Sequence, residues 1–276
     1  MRTPDILACS VRGCHQSLTR RPDAYACDRG HSFDIARSGY VNLLQPQDRR
    51  SRTPGDAPAA LDARARLLAA GIGATILAGF VERAAALWDA TAEAVVLDLG
   101  CGTGEVLERV TAAAGAAGIG IDISVDAIER AARRAPALTW VVANADRRLP
   151  ITDAGAALAL SLNARRNPSE CARVLAPGGR LLVAVPAPDD LIELRALVQG
   201  QGGTRQRADA VVEEHSPLFD LSARARVDER HTLDGPALRD LLAGTYRGAR
   251  RSQQDHEGFD ALVVTLATDV LMFTRR

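Results

Sequence analysis

Two acidic residues and three glycines stand where they could bind a nucleotide-type cofactor. Asp98 lies in an apolar run and is followed by glycines at alternate positions, Gly100, Gly102 and Gly104. A helix-length segment later, a second apolar run ends in Asp122. Glycines let a backbone approach a ligand closely, and an acid at the end of the neighbouring strand can accept hydrogen bonds from both ribose hydroxyls. The pattern predicts a cofactor lying across the carboxyl ends of two parallel strands.

The glycine spacing indicates which cofactor this is. A pyrophosphate-binding loop reads G-x-G-x-x-G, whereas here an acid precedes glycines at alternate positions. Such an acid suits a cationic amino-acid tail better than a phosphate. The run D-L-G-C-G-T-G at 98–104 resembles the first motif of class I S-adenosylmethionine (AdoMet) methyltransferases. The resemblance implies that Asp98 and the glycines hold the tail and that Asp122 holds the ribose.

A polar turn after the third predicted strand is the candidate for the adenine contact. It contains Asn144 and Asp146, of which Asp146 is the preferred partner of the adenine amino group. The alternative is a plain polar turn, since Asn and Asp are common turn residues.

A group of cysteines and histidines near the start of the chain has the spacing of a metal site. Four residues separate the first pair, three separate the second, and twelve lie between the pairs; the residues are Cys9, Cys14, Cys27 and His31. Two short-spaced pairs on two turns suit a tetrahedral structural zinc, and a disulfide is the weaker alternative in a cytoplasmic chain. His15 is left over and is expected to face solvent or RNA.

Composition predicts an ordinary globular protein. The 276 residues are 47% hydrophobic and 25% charged, and no apolar run approaches the ~20 residues of a membrane span. With no signal-peptide pattern at the start, we expect a cytoplasmic location. All 34 basic residues are arginine and the net charge is formally zero. Up to residue 52, however, nine arginines face five aspartates, an excess of four positive charges.

The pattern of apolar runs predicts an α/β fold with a parallel, doubly wound sheet. Strands are expected near 94–99, 118–123, 139–143, 156–162 and 180–186. Alanine-rich helices should fill 59–92, with a break near Gly71–Gly73. Residues 261–266 and 270–274 are predicted to form a terminal antiparallel hairpin, and the charged stretch within 200–260 a solvated helix face. The expected units are a zinc-binding module (1–45), a linker with helices (46–92) and a methyltransferase domain (93–276).

Four motifs in order carry a closer resemblance. They are C-H-Q-x-L at 14–18, G-Y-V-N-L-L at 39–44, R-S-R-x-P-G-D at 50–56 and the glycine motif at 98–104. The chain therefore resembles the large-subunit ribosomal RNA guanine-N1 methyltransferases, some of which confer macrolide resistance in antibiotic producers. The resemblance implies AdoMet and a structural zinc as cofactors, an rRNA hairpin as substrate and a homodimer.

By the same resemblance, an arginine cluster would lie in the RNA path to the cofactor: Arg49, Arg50 and Arg52. A solvated loop is the alternative for this cluster. Asn163, Arg165 and Arg166 follow the fourth strand, where we expect them to bind and polarise the target base. The alternative is that they cap the next helix, just ahead of Pro168.

Two rival functions remain open from the sequence. A small-molecule AdoMet methyltransferase would share the sheet, but the zinc knuckle argues against it. A non-catalytic RNA-binding protein could keep AdoMet as a structural ligand.

Overall fold

The computed structural model describes residues 6–48, 54–88, 94–199, 206–245 and 261–276. Arg49, Arg50 and Arg52 lie outside these ranges, as does the glycine-rich segment 200–203. Among the described residues, no single helix has the length and apolar character to cross a membrane. The helices Pro58–Ala69 and Ala74–Ala86 meet that criterion only as a pair, and they bend by 88° at their break.

An eight-stranded sheet forms the centre of the molecule. Its strands, in chain order, are β4 (Tyr40–Asn42), β5 (Val95–Leu99), β6 (Ala117–Asp122), β7 (Thr139–Val142), β8 (Ala156–Leu162), β9 (Leu175–Pro186), β10 (Phe219–Asp234) and β11 (Ala261–Arg275). They lie in the order β10-β11-β9-β8-β5-β6-β7-β4. The strands from β9 to β4 in that order pair in parallel, and β11 and β10 complete the sheet in antiparallel fashion. The five predicted parallel strands are confirmed.

The helices cover both faces of the sheet. They are α1 (Pro58–Ala69), α2 (Ala74–Ala86), α3 (Glu105–Ala114), α4 (Val125–Arg134), α5 (Pro168–Val174), α6 (Ile192–Gln199), α7 (Arg207–His215) and α8 (Gly235–Thr245). In β5, neighbouring side chains point to opposite faces, as the alternation of a strand requires. Val96 packs in the layer that contains α2, α3 and α4, whereas Leu97 packs in the layer of α5 and α7. The sheet is therefore doubly wound, as predicted.

The chain ends in an antiparallel pair of strands, as predicted, but the predicted turn at 267–269 and the pairing of 261–266 with 270–274 are wrong. Residues 261–275 form one continuous strand, β11, which pairs along its length with β10. The supposed turn at 267–269 lies in the middle of that strand, and Asp269 is buried. Its carboxylate is satisfied by Arg224 on β10, with Oδ2 3.2 Å from Nη2. The sequence Ala267-Thr268-Asp269 therefore resembled a turn, although the partner of Asp269 lies on the neighbouring strand. β10 also corrects the expectation that the charged stretch within 200–260 is simply a helix face.

The zinc-binding segment is built into the same core. Its small sheet consists of β1 (Thr19–Arg20), β2 (Ala24–Ala26) and β3 (Ser32–Asp34), and β4 follows directly. β4 pairs in parallel with β7, although it precedes the boundary predicted at residue 45. The amide of Ala8 also donates to the carbonyl of Pro150 at 2.9 Å. Leu18 and Tyr25 are buried in one cluster with residues of the central strands.

Candidate functional site

The glycine loop after β5 and the acid at the end of β6 contact each other. The amide of Gly102 donates to Asp122 Oδ2 at 3.0 Å, and the amide of Ser124 donates to Oδ1 at 2.8 Å. Ser124 in turn caps α4 by accepting from Ala127 N. Asp122 is therefore held at the sheet edge by backbone donors, and each carboxylate oxygen keeps a lone pair for a ribose hydroxyl.

Asp98 is a buried acid in the middle of the site. Its side chain is 2% exposed, and Oδ2 has no hydrogen-bond partner among the described residues. Burial, with the negative charges of Asp122 and Glu105, raises the pKa of Asp98 to about 8. A buried carboxylate without a partner is costly, and a cation that reaches it removes the cost. The ammonium of the methionine tail of AdoMet fits this requirement.

The glycines supply the space that such a ligand needs. Gly100 has a φ of +72°, and a Cβ there would collide with Ala164 on the segment after β8. Gly102 has a φ of +54°, and no heavy atom would lie within 4 Å of its Cβ. The first glycine therefore allows two loops to approach each other, and the second leaves open space at the carboxyl end of β5.

The turn after β7 is tied to the segment after β8. Asp146 Oδ2 accepts from Arg165 Nη1 at 3.1 Å. Asn144 is used differently: its Nδ2 donates to the carbonyl of Asp48 at 2.9 Å, and its Oδ1 accepts from Asp146 N at 2.9 Å. Asn144 therefore fixes the turn, whereas the carboxylate of Asp146 stands at the side of the turn that faces Arg165.

The three residues predicted to contact the base lie in two different environments. Asn163 and Arg165 are exposed, and Asn163 has a left-handed φ of +54°. Arg166 instead reaches His215 on α7, with Nε donating to Nε2 at 3.3 Å, and its Nη1 donates to Ala164 O. These contacts show that Arg166 holds the segment in place, and its predicted role as a base contact stays a prediction. The alternative role of capping α5 is filled by Asn167, whose Oδ1 accepts from Ser169 N.

His215 is a residue that the sequence analysis missed. It is fully buried and lies against the rings of Phe219 and Phe273, with centroid distances of 5.9 and 5.3 Å. Burial and then the charge of Arg166 lower the pKa of His215 to about 4, so the ring is neutral near pH 7. Its Nδ1–H donates to Val211 O, which leaves Nε2 as the acceptor for Arg166.

The predicted metal ligands converge at one point. The ligand atoms of Cys9, Cys14, Cys27 and His31 all lie within 4.8 Å of one another. His31 Nδ1 is 3.5 Å from Cys9 Sγ and 3.4 Å from Cys27 Sγ, and the sulfurs of Cys14 and Cys27 are 3.8 Å apart. A tetrahedral zinc has bonds of about 2.3 Å to sulfur and 2.0 Å to nitrogen. These bonds require a sulfur–nitrogen separation of about 3.5 Å and a sulfur–sulfur separation of about 3.8 Å. The four residues therefore fit zinc closely.

The remaining cysteines are not part of this cluster. Cys101 and Cys171 are both buried in the apolar layers on opposite faces of the sheet. Burial raises the pKa of both thiols, so they pack as small apolar groups.

Comparisons with known proteins match both parts of the chain. Residues 96–179 match the family model of a methyltransferase domain, and residues 8–52 match the zinc ribbon described as RlmA, N-terminal. The 23S rRNA (guanine(748)-N(1))-methyltransferase of Streptomyces fradiae is 38% identical over 83% of this chain and 81% of its own length. A putative 23S rRNA (guanine-N(1)-)-methyltransferase of Micromonospora griseorubida is 40% identical over 69% of this chain and 70% of its own.

This chain belongs to the 23S rRNA guanine-N1 methyltransferase family. It is an AdoMet-dependent methyltransferase with a structural zinc site of three cysteines and one histidine. The YcgJ protein of Bacillus subtilis has a similar fold, with a TM-score of 0.51 at 16% identity over 72% of this chain and 97% of that chain. At that identity the likeness concerns the fold alone.

Proposed function

We propose that this methyltransferase transfers a methyl group from AdoMet to N1 of a guanine in a hairpin of large-subunit ribosomal RNA. The observation that carries the proposal is the fusion of the zinc ribbon to the cofactor sheet through β4, which lies beside β7. Relatives named for this reaction align with 83% and 69% of the chain, and the two family models match the zinc ribbon and the methyltransferase domain. A small-molecule methyltransferase needs the sheet but has no use for a zinc ribbon in the same core.

AdoMet supplies a methyl carbon already activated by the sulfonium, so the protein has mainly to align the two partners. We propose that Asp98 pairs with the ammonium of the tail, that the glycine loop runs along it and that Asp122 binds the ribose. Asp146 is the proposed adenine contact rather than Asn144, because both polar groups of the Asn144 amide are engaged with the backbone.

We assign the base to Asn163 and Arg165. Guanine N1 carries a proton that must leave, and negative charge then develops on O6. A guanidinium near O6 stabilises that charge, and an amide can hydrogen-bond the base edge. Arg165 lies 3.1 Å from Asp146, so it links the adenine side of the site to the segment that would face the base.

Three further parts of the proposal rest on the family. Arg49, Arg50 and Arg52 would contact RNA phosphates, and the protein would act as a homodimer in the cytoplasm, where its substrate is. A molar mass measured by light scattering tests the dimer, since a value of one chain would exclude it.

Methyl transfer from radiolabelled AdoMet to ribosomal RNA tests the function directly. The RNA should come from a strain that lacks the gene, and RNA from a strain that carries it serves as the matched control. We expect label only in the first RNA, recovered as 1-methylguanine, with mapping begun at guanine 748, the position in the name of the Streptomyces fradiae enzyme. Label on another base would refute the N1-guanine assignment. AdoMet binding without transfer would indicate a non-catalytic RNA-binding protein.

If the modification protects the ribosome, deleting the gene should lower the macrolide concentration that stops growth. An unchanged concentration would separate the methylation from drug resistance.

A further inference from the structure

A second concave site lies between the zinc-binding segment and the segment after β7. It is a cleft of about 360 Å³, and its polar lining includes Ser10, Arg12, His15, Asp48, Arg147 and Arg148. Its floor is apolar, formed in part by Leu43 and Leu149, which are each 1% exposed. Asn144 of the turn after β7 lines it, and none of the residues assigned to the AdoMet tail or ribose does.

The two walls of the cleft are fixed to each other. On one side Ala8 N donates to Pro150 O, and on the other Asn144 Nδ2 donates to Asp48 O, both at 2.9 Å. Ser10 Oγ also accepts from Gln45 Nε2 at 3.0 Å. Because these bonds join the ribbon, the 3₁₀ turn at 46–48 and the turn after β7, the cleft does not depend on a ligand to form.

The charge of the cleft is positive. Within the described part of the chain, the side chains of Arg12 and Arg147 have no carboxylate partner. Arg148 lies 3.9 Å from Glu170, but that carboxylate is held at 2.5 Å by Arg173. Asp48 is the one acid among the lining residues that the structure describes. Elsewhere on the surface, arginines such as Arg226 are matched by two aspartates.

We propose that this cleft binds a phosphodiester group of the RNA strand that carries the target base. The inference rests on the proposed function and adds a site to it. Exposed guanidiniums without carboxylate partners, on two facing walls, suit a phosphate, which an arginine can bind with two parallel hydrogen bonds. Arg147 and Arg148 follow directly on Asp146, so an RNA phosphate held in the cleft is next to the turn that borders the AdoMet site.

The salt dependence of RNA binding tests this site. The variants are Arg147→Gln with Arg148→Gln, and separately Arg12→Gln, and the probe is large-subunit rRNA from the strain that lacks the gene. Arg109→Gln is the matched control, since Arg109 is an exposed arginine on α3, on the opposite face of the sheet. Each lost phosphate contact should reduce the slope of log K against log salt by about 0.7 to 0.9.

We expect the cleft variants to bind rRNA more weakly with a reduced slope, to raise KM for rRNA, and to bind AdoMet as the wild type does. The control should match the wild type in rRNA affinity, salt slope, KM for rRNA and AdoMet affinity. If the cleft variants had the salt slope of the wild type while the enzyme still methylated rRNA, the cleft would not be a phosphate site. The proposed function would then still stand. Weakened AdoMet binding in the cleft variants would also overturn the phosphate site, because the cleft would then belong to the cofactor site. Failure of the wild type to bind rRNA would overturn both.

Discussion

At the scale of single residues, Asp98 is a buried acid whose position lowers the stability of the ligand-free protein. Its carboxyl group is buried beside two other acids and has an oxygen without a partner in the described chain. Nothing in the packing of β5 requires an acid there, since the other residues of the strand are apolar. The packing of the fold therefore does not explain this acid, which supports the proposal that Asp98 pairs with the ammonium of AdoMet.

Replacing Asp98 by Asn should have opposite effects on stability and on binding. Without AdoMet, the variant should unfold at a higher temperature near pH 8, because a neutral amide replaces a buried charge. Its affinity for AdoMet should fall by roughly 10- to 100-fold, because the variant loses a hydrogen bond between two charged groups. Calorimetry measures both quantities. Asp126→Asn, an exposed acid on α4, is the control and should change neither.

The release of a proton on AdoMet binding provides a separate test of Asp98. The raised pKa of about 8 means that the folded, AdoMet-free protein holds a proton at pH 7 that the unfolded chain, with a carboxyl pKa near about 4, does not. The contribution of the Asp98 carboxyl to the free energy of unfolding is therefore fully present below about pH 4, and it is lost as the pH rises to about 8. Pairing with an ammonium should expel the proton, so AdoMet binding at pH 7 should release close to one proton. Titration in buffers of different ionisation enthalpy measures the release, and Asp98→Asn should abolish it.

At the scale of elements, α7 positions the segment that follows β8. Arg166 reaches from that segment to His215, and the ring has one tautomer that satisfies both Val211 O and Arg166 Nε. Gly100 packs against Ala164 in the same segment. The exposed residues Asn163 and Arg165 are thus held between the cofactor loop on one side and α7 on the other.

His215→Leu should therefore disturb catalysis from a distance. The variant keeps the apolar volume but leaves Arg166 Nε without its acceptor, which should cost about 1–3 kcal/mol of stability. We expect kcat to fall while the dissociation constant of AdoMet stays unchanged, because the glycine loop and Asp122 are not touched. His215→Gln, whose carbonyl oxygen can accept the same bond, should recover part of kcat. Equal kcat in the wild type and the Leu variant would show that the contact has no role in positioning.

At the scale of the whole molecule, the zinc ribbon and the sheet form one core. β4 adds to the sheet beside β7, and Leu18 and Tyr25 are buried with residues of the central strands. A structural zinc contributes directly to folding, because its site rarely exists in an unfolded chain. The metal should therefore stabilise the methyltransferase domain as well as the ribbon.

Removing zinc should lower the stability of the entire protein. We expect Cys27→Ser to lose its zinc, measured by elemental analysis, and to unfold at a lower temperature in a single calorimetric transition. Cys171→Ser is the control for the loss of a buried thiol that is not a ligand, and it should keep its zinc. Two transitions, of which only the smaller one shifted, would mean that the ribbon folds independently of the sheet.

The sequence by itself determined the features that are local in the chain. The cofactor loop, the four zinc ligands and the five parallel strands are recognisable because spacing within a few residues fixes their chemistry. Continuous apolar runs identify strands that are buried on both faces. The break at Gly71–Gly73 was equally local, and both of these glycines have a positive φ.

Only the tertiary structure decided which distant residues meet. The sequence did not indicate that Arg166 reaches His215, because His215 lies 49 residues away in a stretch with no motif. Residues 267–269 looked like a turn because Arg224, which satisfies Asp269, belongs to another strand. The basic cleft exists only where the ribbon meets the turn after β7. In each case the role of a polar or charged side chain depends on a partner that is distant in the sequence. Only the folded chain brings the two groups within hydrogen-bond distance, so local sequence cannot identify the contact.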